Sequence, residues 1–131
     1  MYAAKAAMAQ YQKVDRESAV NGANPHQLIQ LLMQGALQRM DLAREAMTEN
    51  NIALKGQMLG KATSIIGGLQ ASLDKSQAPE LCETLDGLYD YMQRRLLEAN
   101  MKNDPAMVAE VRDLLATVKT GWDELDPNAA A

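Results

Sequence analysis

The chain has 131 residues, 47% of them apolar, and a formal net charge of -4. That length suits a single domain burying about two-thirds of its unfolded surface. The acidic balance, with no basic patch, argues against a nucleic-acid partner, and no apolar run nears the ~20 residues of a membrane span. Phe is absent and Cys82 is the only cysteine, so Leu, Ala and Met must fill the core without an intrachain disulfide. A reducing, cytoplasmic setting fits that cysteine usage.

The opening MYAAKAAMAQYQ has no sustained apolar stretch and is not expected to be a secretory signal. Residues 1–23 carry Ala7, Met8, Tyr11 and Val14 at helix-like spacing. They read as a short helical or extended N-terminal segment, broken at Asn21-Gly22. Asn24-Pro25-His26-Gln27 is a helix start: Asn caps, Pro suits the first position, and Gln completes a capping box. The first helix is predicted to run to about Thr48, with Ile29, Met33, Ala36, Met40, Ala43 and Met47 as its seam.

Asn50-Asn51 is a turn, and Leu59, Ala62, Ile66, Leu69 and Leu73 mark a second helix over 52–73. Gly67-Gly68 inside it predicts close packing of another backbone, since each costs about 1 kcal/mol relative to Ala in a helix interior. Pro79 opens a third helix with Leu81, Leu85, Leu88, Met92, Leu96 and Ala99 as seam. Asp104-Pro105 caps a fourth, whose Val108, Val111, Leu115, Val118, Trp122 and Leu125 step by 3 and 4 until Asp126-Pro127. The expectation is an all-α, antiparallel up-down-up-down four-helix bundle over 24–126, with a disordered tail at 127–131.

A bundle helix needs one apolar stripe, and the first helix has more. Opposite its seam lie Leu31, Gly35, Gln38 and Leu42. Leu97 sits nearly opposite the Leu88 and Met92 stripe of the third helix, with Cys82 and Asn100 beside it. Three explanations stand open: a central helix covered by its own fold, a homodimer face, or a groove for a foreign helix or for residues 1–23. Nine methionines suit a surface that repacks around partners, although Met33, Met40 and Met47 fall on the core seam. Arg95, at the edge of the third seam, reads either as solvated charge near a helix C-terminus or as a partner for an incoming carboxylate. The fourth helix looks ordinary, with Glu110, Asp113, Thr117 and Glu124 on its solvated side.

Catalytic and metal chemistry find little support. A di-metal bundle needs Glu-x-x-His pairs on two helices, and the chain's single histidine, His26, reads as a surface residue. Glu80, Glu83, Asp86 and Asp90 read as a solvated face near a helix N-terminus, and Cys82 as a packing residue. No phosphate loop or nucleophile elbow is visible. The expectation is a binding protein without cofactor or metal, not an enzyme.

Two segments together carry a resemblance. Glu17-Ser18-Ala19-Val20 followed by Asn24-Pro25-His26-Gln27-Leu28-Ile29 is similar to the start of the flagellar secretion chaperone FliS family. Leu88-Tyr89-Asp90-Tyr91-Met92 with Arg95-Leu96-Leu97-Glu98-Ala99-Asn100 resembles that family's third main helix. Ala62 to Ile66, Leu73-Asp74 and Val111 to Trp122 also fit, so the likeness spans nearly the whole chain in order. The chain departs from the family near Met33, where an aromatic is usual, at Gln34, where an acid is usual, and at Asn24, where Ser is common.

The resemblance implies a cytoplasmic chaperone that binds the disordered C-terminal region of flagellin, prevents premature polymerisation and assists delivery to the flagellar type III export apparatus. It also implies an N-terminal segment, here with Met8 and Tyr11, that covers part of the client surface and docks at the export gate. On the physical reading, Leu31, Gly35 and Leu42 line the client surface. Leu97 joins them more weakly, Tyr89 and Tyr91 anchor its margins, and Arg95 stands at its rim. The rival reading is a homodimeric all-α scaffold that uses the extra apolar face for itself.

Overall fold

The computed structural model describes residues 24–125. The expectations for Met8, Tyr11 and the rest of 1–23, and for the tail, lie outside the described residues. Within them the chain forms α1 (Pro25–Thr48), α2 (Ile52–Ala71), α3 (Pro79–Lys102) and α4 (Pro105–Glu124), with no strand.

Each start follows from local chemistry. Asn24 Oδ1 accepts from Gln27 N at 2.9 Å while Gln27 Oε1 accepts from Asn24 N at 3.0 Å, the reciprocal capping box expected there. Asn51 Oδ1 accepts from Leu54 N, and Asp104 Oδ1 from Ala106 N. Proline opens α1, α3 and α4, where its missing N–H costs nothing. α2 stops at Ala71 rather than 73: Ser72 takes the capping position and its hydroxyl donates to Leu69 O at 2.8 Å. Leu73 still packs on the core from the connection.

The helices pack α1 on α2, α2 on α3, α3 on α4 and α4 on α1, and the diagonal pairs stand farther apart. This is a four-membered antiparallel ring around one core. Ala36, Met40 and Ala43 of α1, Ala62 and Ile66 of α2, Met92, Leu96 and Ala99 of α3, and Val108, Val111 and Leu115 of α4 are all shut from solvent. Gly67 and Gly68 stay helical and are both buried.

The third helix keeps Leu85, Leu88, Met92, Leu96 and Ala99 of its expected seam in or against the core. Its inward stripe is Cys82, Leu85, Tyr89, Met92, Leu96 and Ala99, a strict alternation of three and four, and Leu81 is exposed. Leu125, expected in the fourth seam, is exposed because α4 ends at Glu124. His26 is not a free surface residue: its ring stacks on Trp122 at 4.6 Å, and Trp122 Nε1 donates to its carbonyl at 3.0 Å.

One end of the ring is tied by a buried lysine. α1 and α3 both finish on an asparagine in the left-handed region, Asn50 at φ 57° and Asn103 at φ 51°. In each case the next N–H returns to a carbonyl five residues back, Asn51 to Ala46 and Asp104 to Ala99. Lys55, only 8% exposed, reaches from α2 to donate to Asn100 O and Asn103 Oδ1, both at 3.2 Å. Its charge meets the negative end of α3. Lys55→Met removes this cap while keeping the stem, and is expected to lower unfolding free energy by about 1.5–3 kcal/mol, measured by urea denaturation.

Candidate functional site

The flanks of each helix can be assigned from what they touch. On α1, Gln30 Nε2 donates to Asp123 at 2.7 Å and Asp41 accepts from Arg112 at 3.1 Å, so that flank belongs to α4. Gly35 lies on the other flank, where a Cβ would stand 3.7 Å from Ile65 Cδ1 of α2. Leu31 and Leu42, one turn before and two turns after Gly35, share its side. They remain 46% and 45% exposed. The apolar residues opposite the first seam therefore form the outer edge of the α1/α2 seam.

On α3, Gln93 Nε2 donates to Gln70 of α2 at 2.7 Å, and Asp86 accepts from the same Gln70 at 2.8 Å. Leu97, one turn beyond Gln93, stands on this α2-facing flank and is 62% exposed. It overhangs a groove of about 490 Å³ with Leu59 and Leu96 in its lining, bounded by Gly56, Gly60 and Thr63 of α2 and by Asp90 and Arg94 of α3. A Cβ on Gly56 or Gly60 would meet nothing within 4 Å, so α2 offers a low, open wall. Asp90 and Arg94 pair with each other at 3.0 Å. Ile52 and Met101, both exposed, mark the end where α2 begins and α3 finishes. Leu31 and Leu42 thus lie on one side of α2 and Leu97 on the other, with small residues between.

Three expected site residues have other company. Tyr89 is 3% exposed and belongs to the core, not to its margin. Burial pushes its phenol up to about 12. Tyr91 and Arg95 sit on the opposite flank of α3, against α4. The Tyr91 hydroxyl donates to Glu110, Arg95 Nε donates to Glu110 at 2.9 Å, and Arg95 Nη1 to Glu98 at 3.1 Å. Lys102 closes the chain on Glu98 at 2.8 Å. Glu110, expected on a solvated side, is therefore the centre of the α3/α4 link, and the Arg95 guanidinium is already paired twice.

The missed signal for Tyr89 was the strict three-four spacing that begins at Cys82. No such signal existed for Arg95, whose partner Glu110 is on another helix. Gly56 and Gly60 carry no signal in the sequence, because a glycine's value to a groove depends on what lies across it. Two of the four acids read as a solvated face of α3 are engaged: Asp86 holds Gln70 and Lys75, and Asp90 holds Arg94, while Glu80 and Glu83 are exposed. Among the described residues no cluster of His, Cys, Asp or Glu is arranged to hold a metal. None of the described helices is long and apolar enough to cross a membrane.

The link has a pH signature. The Tyr91 hydroxyl and then Arg95 hold the Glu110 carboxyl below its ordinary 4.5. Lys102 and then Arg95 do the same for Glu98. Carboxyls lowered in the folded state contribute fully above about pH 4.5, and the contribution is lost as pH falls through their folded values. Urea midpoints followed from about pH 6 to about pH 3 should fall less steeply for Glu110→Gln than for the unaltered chain.

The chain is similar to known proteins over most of its length. The family model described as flagellar protein FliS matches residues 7–129. The chain is 54% identical over 123 residues to the flagellar secretion chaperone FliSB of Pseudomonas aeruginosa, covering 94% of this chain and 97% of that protein. It is 42% identical over 131 residues to the flagellar secretion chaperone FliS of Salmonella typhimurium, covering 99% and 96%. With the FliS of Bacillus subtilis the identity is 35% over 109 residues, covering 83% and 80%.

Proposed function

Since the chain belongs to the FliS family of flagellar secretion chaperones, we propose that its client is flagellin. It holds the disordered C-terminal region of that subunit in the cytoplasm, prevents premature polymerisation and assists delivery to the flagellar type III export apparatus. The observation that carries this reading is the pair of exposed apolar edges flanking α2: Leu31 and Leu42 on one side, Leu97 over its groove on the other.

The physical logic is substitution of neighbours. A filament subunit's terminal region forms helices against other subunits, and alone it exposes apolar stripes. A bundle with two apolar edges supplies substitute neighbours for such segments. Coupled folding of this kind typically buries on the order of 1,000–3,000 Å² and costs several kcal/mol in ordering. Many modest contacts along an extended path suit it better than one deep pocket. The sequence shows no phosphate loop, so release is assigned to a competing partner at the export gate rather than to nucleotide hydrolysis.

Calorimetric titration with a peptide spanning the flagellin C-terminal region tests this. Leu31→Asp and Leu97→Asp should each weaken binding about tenfold or more, roughly 1.4 kcal/mol. Leu81→Asp, an equally exposed leucine away from both edges, should leave affinity unchanged. If Leu31→Asp and Leu97→Asp stay folded and bind as tightly as the unaltered chain, these edges are not the client surface. Residues 1–23, with Met8 and Tyr11, are proposed to cover part of that surface when the client is absent. A chain lacking residues 1–17 should then bind the peptide more tightly; weaker binding would assign the segment to client contact or to support of the fold.

A further inference from the structure

Three of the four seams in the ring are cross-linked by polar side chains. Gln30 and Asp41 of α1 hold Asp123 and Arg112 of α4, Gln70 of α2 holds Asp86 and Gln93 of α3, and Tyr91 and Arg95 of α3 hold Glu110 of α4. Among the described residues the α1/α2 seam has no side-chain hydrogen bond or ion pair across it. It is also where Leu31 and Leu42 stand exposed.

Two cations at this seam pair with no carboxylate among the described residues, and the acids on the Leu42 side of α1, Glu45 and Glu49, stand one and two turns further along. Lys75, Arg94, Arg95, Lys102, Arg112 and Lys119 each pair with an acid. Arg39 and Lys61 pair with none among the described residues, and α2 has no acidic residue between Ile52 and Ala71. Arg44 is also unpaired but stands toward α4, one turn from Asp41.

Arg39 folds back along α1. Its Nη1 donates to Gly35 O at 3.1 Å, and its Nε is buried with no acceptor. Gly35 makes the room, because a Cβ there would stand 3.1 Å from that Nη1. The same position is 3.7 Å from Ile65 Cδ1, so the guanidinium lies in the seam. In an antiparallel pair, one turn on from Gly35 is level with one turn back from Ile65. That places Lys61 level with Arg39, between the levels of Leu31 and Leu42. Two neighbouring cations, neither paired with an acid among the described residues, are placed to attract a carboxylate.

We propose that the α1/α2 seam docks an acidic amphipathic helix of the client, seating apolar side chains on Leu31 and Leu42 and a carboxylate on Arg39 and Lys61. This deepens the client-binding reading above and rests on it. Arg39 takes the part that Arg95, closed off by Glu98 and Glu110, does not have free. The eleven-residue interval from Leu31 to Leu42 spans about 16 Å at a helical rise of 1.5 Å, so the docked helix has about three turns.

The test titrates the flagellin C-terminal peptide into the full chain at low and high salt, alongside Arg39→Gln, Lys61→Gln and the double variant. Each single change is expected to weaken binding about 3–10-fold, and the double change to flatten the salt dependence. Gly35→Ala keeps both charges and favours helix, so it guards against loss of fold. Its new methyl displaces the guanidinium, and binding should again weaken about 3–10-fold with thermal stability unchanged or raised. Binding by the full chain with unchanged affinity and salt slope in the double variant would overturn the seam assignment and leave the client reading intact. No binding by the full chain would overturn the client reading itself. A concentration-dependent dimer, seen by light scattering and abolished by Arg39→Gln, would assign the seam to self-association and overturn the proposal.

Discussion

A helix in a four-membered ring can turn one stripe to the common core and two flanks to its neighbours; whatever remains faces outward. The whole surface of this protein depends on that geometric constraint. α1 satisfies the core with Leu32, Met33, Ala36, Met40, Ala43 and Met47. Its further leucines at 31 and 42 cannot also be inside, because they lie across the helix from that stripe. α3 meets the same limit with Met92, Leu96 and Ala99 inside and Leu97 outside. The exposed apolar edges follow from having more hydrophobic faces than the ring has interior.

The polar links decide which edges stay open. Glu110 draws Tyr91 and Arg95 onto the α3/α4 seam, and Gln70 draws Asp86 and Gln93 onto the α2/α3 seam. The α1/α4 seam is closed by the Gln30, Asp41 and His26 contacts. What is left flanks α2: an apolar groove walled by Gly56 and Gly60 on one side, and the Arg39 notch opened by Gly35 on the other. α2 is thus the helix with an open edge on either side. It carries Lys55 and Lys61 and no carboxylate between Ile52 and Ala71, within a chain of net charge -4.

Lys55 and the two left-handed asparagines make one end of the ring a fixed frame. The bonds of Lys55 to Asn100 and Asn103 join the start of α2 to the finish of α3, the two helices that wall the Leu97 groove.

Much of this was legible in the residues. Asn24-Pro25-His26-Gln27, Asn50-Asn51, Pro79 and Asp104-Pro105 determined where helices begin, because capping is satisfied within a few residues and needs no tertiary partner. Spacing by three and four determined that the chain is all-α, and identified Leu31, Leu42 and Leu97 as surplus to the core. Tertiary structure alone decided the rest. Leu81 stayed outside although its spacing matches the seam of α3. Arg95 was consumed by Glu110 from a different helix, whereas Arg39 was left without an acid because α2 supplies none. Intrahelical spacing says which side chains share a face; only packing says which neighbour that face meets, and electrostatic pairing belongs to the neighbour.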